Sequence, residues 1–124
     1  MAFEKYVKSG RTYKPMVSLW SRGQIGFNHG AVQRFKDITN HKFAVLYFDE
    51  DTQRIGIKLT DNENDDGITS IIKGKTGVII SAASFLDNFK IDHTTTRKYP
   101  VEFDADEQMY IIDLNRPMAK KERQ

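Results

Sequence analysis

Residues 48–59, FDEDTQRIGIKL, return 55 positions later as residues 103–114, FDADEQMYIIDL. Six of the twelve positions are identical at that offset: Phe48 with Phe103, Asp49 with Asp104, Asp51 with Asp106, Gln53 with Gln108, Ile57 with Ile112 and Leu59 with Leu114. Any two hairpins can share an apolar alternation. Sharing the polar turn residues Asp, Asp and Gln is a stronger coincidence, because these residues serve the reversal and not the core. The stretch therefore reads as the last hairpin of an internal repeat.

Working upstream, FAVLYF is apolar on both faces, as a strand flanked on both sides would be. The turn DEDTQ sends the chain back through Ile55, Ile57 and Leu59, with Gly56 and Lys58 on the other face. Before it, MVSLW and QIGFN alternate around SRG and predict a hairpin. Asn28 stands where a side-chain oxygen caps a helix, and Ala31, Val32, Phe35 and Ile38 share one helical face. Gly30 weakens that helix by about 1 kcal/mol, so it needs tertiary support. Downstream the order recurs: ITSII and VII around KGKTG, then Ser81 as the matching cap, then Phe85, Leu86 and Phe89 on a short helix. A loop over 92–98 leads to YPVEFD and MYIIDL. The fold class predicted is a β-rich α+β domain, two internal ββαββ repeats packed with pseudo-symmetry. Its segments are a basic arm (1–15), repeat 1 (16–60), an acidic linker DNENDDG (61–67), repeat 2 (68–114) and a charged tail (115–124).

Composition limits the function. The chain has 124 residues and no cysteine, so a disulfide framework, a thiolate metal site and a cysteine nucleophile are excluded. No apolar run approaches the roughly 18 residues of a membrane span, and the first residues lack the apolar core of a signal peptide. A soluble, cytoplasmic protein with no membrane partner is expected. The net charge is only +2, but successive blocks 1–36, 37–67, 68–100 and 101–124 carry +6, −5, +3 and −2. Each repeat thus has a basic leading half and an acidic trailing half.

Motifs for catalysis are lacking. His29, His41 and His93 stand apart from one another and from acids at a metal-ligand spacing such as HExxH. The Asp49/Asp51 pair and its copy Asp104/Asp106 fit a turn better than a cation site. DNENDDG, read from Asn62, places Gly67 sixth as a calcium loop would, but Lys73 occupies the twelfth position where a bidentate Glu is required. With no phosphate loop and no nucleophile set, the expectation is a non-enzyme without metal or cofactor.

The basic halves point to a polyanion, since each phosphate neutralised releases counterions. The expected nucleic-acid contacts are Arg11, Lys14, Arg22, Arg34 and Lys36 in the first repeat, and Lys73, Lys75, Arg97 and Lys98 in the second. Trp20, beside Ser21 and Arg22, is either a core residue or a stacking platform for a base. A mixed-charge surface, or an assembly module whose basic and acidic halves pair head to tail into a homo-oligomer, remains open.

The run SRGQIGFNHGAVQRFKDI leading into HKFAVLYFDEDTQRIGIKL resembles the SpoVT/AbrB swapped-hairpin family, and two copies in one chain resemble the MraZ arrangement. In that family two copies interleave into one barrel that binds duplex DNA, which implies a transcription-regulator-like protein. Asn28 and Ser81 stand where the family usually has Pro, and only Arg34 matches its helix basic residue. Read from Phe43, the same repeat is similar to the Whirly and transcriptional-coactivator family, with KGKTGVIISAASF as its last strand and capped helix. That resemblance implies single-stranded DNA as the partner.

Overall fold

The alternation of apolar and polar residues is the starting point, because a strand whose every second side chain points inward needs a core on one side only. In the computed structural model, which describes residues 14–74 and 77–117, the alternating segments become β1 (Met16–Trp20), β2 (Gln24–Phe27), β3 (Phe43–Asp49), β4 (Arg54–Thr60), β5 (Ile68–Lys73), β6 (Val78–Ser81), β7 (Arg97–Asp104) and β8 (Met109–Asp113). Helix α1 (His29–Arg34) follows β2 and continues into a 3-10 turn, Lys36–Asn40; helix α2 (Ala83–Asn88) follows β6.

The strands close on themselves in the order β1-β2-β6-β5-β3-β4-β8-β7, with every neighbouring pair antiparallel. The fold of the described residues is therefore a closed eight-stranded antiparallel β-barrel with two short helices. This corrects the α+β class of two ββαββ repeats expected from the sequence. The physical reason lies in the pairing. β1 bonds to β7, β2 to β6, β3 to β5 and β4 to β8, so hairpins from the two halves of the chain alternate around the barrel and neither half makes a sheet of its own. Each α-helix has only six residues, too few to form a layer, and serves to close the barrel.

Inside, Val17, Leu19, Ile25, Phe27, Ala44, Ile55, Ile57, Val78, Ile80, Tyr99, Val101, Tyr110 and Ile112 form one cluster with Ala31 and Ile38 near α1 and Leu86 and Ile91 near α2. Eight strands enclose a space that side chains just fill. Each fully buried isoleucine contributes roughly 1.5–3 kcal/mol over an exposed one.

Two strands change neighbours along their length. β7 pairs with β1 from Arg97 to Pro100 and with β8 from Val101 to Asp104. Pro100, lacking an N–H, sits at the crossover, where the ladder to β1 ends. β5 likewise leaves β3 at Ser70 and joins β6 from Ile71.

Asn28 ties the first hairpin to α1. Its Oδ1 accepts from the amides of Met16 (3.1 Å) and Ala31 (2.8 Å), and its Nδ2 donates to the Lys14 carbonyl (3.0 Å). The expected counterpart fails: Ser81 belongs to β6, and the N-cap position of α2 is Ala82, which has no side chain to cap it.

The β1–β2 turn requires glycine at position 23. Gly23 has φ +89°, and a Cβ there would lie 2.6 Å from the Ala83 Cβ. Gly74 has no such neighbour, its nearest being the Gly77 carbonyl at 3.5 Å. Gly23→Ala is expected to lose about 1–3 kcal/mol and Gly74→Ala to stay within about 0.5 kcal/mol, as read from urea unfolding midpoints.

Candidate nucleic-acid interface

Because all pairs are antiparallel, the barrel has two distinct ends. One carries the β1–β2 turn, α2, the loop after it, the start of β7 and the β3–β4 turn. The other carries α1, the end of β5, and the β7–β8 turn. This divides the expected contact residues into two sets.

At the first end, Arg22 lies exposed on the β1–β2 turn, with its Nε donating to Gln24 Oε1 at 3.0 Å. The β1–β7 register places Arg97 opposite Leu19 and Lys98 opposite Ser18, so both exposed cations flank the strand that leads into that turn. Two further bonds pin the turn to the loop before β7. The Ser21 amide donates to Thr96 Oγ1 (3.1 Å), and the Ser21 carbonyl lies 2.8 Å from His93 Nδ1. Arg97 also draws on Asp92, whose carboxyl is held below its ordinary value first by the Thr94 amide, then by the Thr94 hydroxyl, with Arg97 adding its charge.

Trp20 lies on the outer wall of this end, half-buried. Its ring covers Gly26 on the neighbouring strand, where a Cβ would meet the indole at 2.3 Å and 2.5 Å. The residue is thus outside the core cluster, although it is not fully free. On the opposite wall Met109 covers Gly56 in the same manner, its sulfur 2.8 Å from where a Cβ would stand.

At the second end, Lys73 closes β5 opposite Val78, Arg34 lies in the last turn of α1, and Lys36 opens the 3-10 turn, all exposed. Lys14 is exposed and tethered through its carbonyl to Asn28. Arg11 and Lys75 lie outside the described residues. The structure therefore does not unite the described residues of this set in one surface; it places Trp20, Arg22, Arg97 and Lys98 at one end, with Arg97 on the row of the buried Leu19 and Lys98 on the outer row with Ser18, and Lys14, Arg34, Lys36 and Lys73 at the far end.

The two aspartate turns match in detail. Asp49 Oδ1 accepts from Asp51 N (3.0 Å) and Thr52 N (3.4 Å), and Asp104 Oδ1 accepts from Asp106 N (2.9 Å) and Glu107 N (3.2 Å). Gln53 and Gln108 adopt φ of 56° and 57°, and each donates its side-chain amide to the carbonyl three residues back. Hydrogen bonds from Thr52 hold the Asp49 carboxyl below its ordinary range. These carboxylates are spent on backbone amides, and no group of three or more His, Cys, Asp or Glu that could hold a metal occurs among the described residues.

The histidines are less isolated than their spacing predicts. His41 Nε2 lies 3.0 Å from Asp37 Oδ2, and its Nδ1 lies 3.3 Å from Asp61 Oδ2 without an aligned hydrogen bond. His93 meets Asp87 and Ser21. Asp37 stands four residues before His41, a helical spacing that was legible in the sequence. Ser21 is 72 residues from His93, and only the closed barrel brings them together. No helix among the described residues is long and apolar enough to cross a membrane.

Compared with family models, curated proteins and solved structures, the chain matches none.

Trp20 is the single tryptophan, so its emission reports its own site. Gly26→Ala is expected to push the indole off β2 and shift the emission to longer wavelength while the far-ultraviolet circular dichroism keeps its barrel shape. An unshifted spectrum would place the ring elsewhere.

Proposed function

We propose that the protein binds DNA through the phosphate backbone and performs no chemistry on it, as a transcription-regulator-like protein does. The observation that carries this reading is the β1–β7 register, which sets Arg97 and Lys98 beside the turn that holds Arg22. Arg22 on the turn and Lys98 on the outer row suit neighbouring phosphates, with Arg97 at the rim on the alternate row, and the strands beneath them fix their spacing. Lys14, Arg34, Lys36 and Lys73 would supply a second contact region at the far end. Such contacts position a protein on nucleic acid without reading its sequence.

Single-stranded DNA is the second reading, and the place of Trp20 favours it. One face of the ring rests on Gly26. The other face is where a base would stack.

Fluorescence-anisotropy titration with matched duplex and single-stranded oligonucleotides at two salt concentrations tests both. The triple variant Arg22→Ala/Arg97→Ala/Lys98→Ala is expected to weaken binding on every sequence and to flatten the salt slope by about one unit per cation removed. Quenching of Trp20 on single strands alone would favour the second reading. Affinity insensitive to salt, or no binding at low salt, would overturn the proposal; salt-dependent self-association without DNA would then identify an assembly module.

A further inference from the structure

His93 lies in the loop between α2 and β7, and both of its ring nitrogens face oxygen atoms. Nδ1 is 2.8 Å from the Ser21 carbonyl on the β1–β2 turn, and Nε2 is 3.1 Å from Asp87 Oδ1 on α2. A backbone carbonyl only accepts, and so does a carboxylate. A neutral imidazole carries one N–H and satisfies one of the two; the imidazolium satisfies both. We propose that His93 is a proton-operated clamp, joining the β1–β2 turn to α2 as the imidazolium and letting go of one of them as the neutral ring.

The surroundings favour the charged form. From α2 comes Asp87, and from the loop itself Asp92. The turn contributes Arg22, whose Nε is committed to Gln24, and β7 contributes Arg97, whose charge acts on Asp92 and Tyr99. The hydrogen bond to Asp87, then that to Ser21, hold the His93 ring above its ordinary value of 6.5 against the opposing effect of burial. The folded state therefore binds this proton more tightly than the unfolded one does. The stabilisation is complete below 6.5 and is lost as the pH rises through the folded value. The loss is local, because the turn stays attached through Ser21 N to Thr96 and through the Gly23 carbonyl to the Ala82 amide. What loosens is the tie between α2 and the turn that displays Arg22. The clamp is independent of whether that turn meets DNA.

The test is made by NMR on the free protein. The His93 ring protons are expected to titrate above 6.5 and to move back toward that value in Asp87→Asn. The neutral ring keeps one of its two bonds, so the carbon resonance of the Ser21 carbonyl or of the Asp87 carboxyl is expected to shift with the same midpoint as the ring between about pH 6 and about pH 8 in the wild type. In His93→Gln, which cannot change its charge, both resonances are expected to stay level over that range. A ring that titrates at or below 6.5, or Ser21 and Asp87 resonances that are both flat with pH in the wild type, would overturn the clamp. Should His93→Gln fail to fold, the wild-type and Asp87→Asn titrations decide alone.

Discussion

The molecule depends on four seams, β1 against β7, β2 against β6, β3 against β5 and β4 against β8, where the halves of the chain hydrogen-bond to each other. Without them β2 and β4 would each present a row of unpaired backbone groups, and the apolar faces of eight strands would have no common interior. With them the barrel has no free edge, and Ile25 pairs with Ile80 and Ile55 with Ile112 inside it. The β2–β6 and β4–β8 seams also hold a glycine on the outer face, Gly26 opposite Ile79 and Gly56 opposite Ile111. Trp20 and Met109 lie over those glycines and shield the backbone there.

Closure also decides where the chemistry can lie. A barrel of eight short strands fills its interior with its own side chains, so the groups able to meet a partner are on the turns, the helix ends and the outer wall. The described candidate cations separate into two groups at opposite ends. At the first end Ser21, Thr96, His93 and Asp87 connect the turn, the loop and α2 through side-chain bonds. A charge change on His93 is therefore felt by the turn and has little route to the far end.

The duplicated aspartate turns show how a local motif survives within a global closure. Each uses one carboxylate to collect two amides and a glutamine in a left-handed conformation to complete the reversal, a conformation that glutamine tolerates here with its side-chain amide bonded to the turn. Local hydrogen bonds of this kind do not depend on which strand lies next door. The caps of the two helices do depend on it: Asn28 reaches both Met16 and Ala31 because β1 begins beside it, whereas Ser81 is held in the ladder opposite Gln24 and is not available to cap α2.

By itself the sequence determined what is local. The strand segments, the Asp49 and Asp104 turns, the Asn28 cap and the inward set Ile55 and Ile57 follow from alternation and turn chemistry over a few residues. Tertiary structure alone decided the rest. Alternation states that a strand has a buried face but not which strand lies beside it, so it could not distinguish a two-layer α+β domain from a barrel whose halves share their seams. For the same reason the eight described residues of the ten expected to act together were split between two ends, Trp20 was placed on the outer wall, and His93 acquired a partner 72 residues away. Register between distant strands is set by the common core they fill, and no short stretch of the chain encodes it.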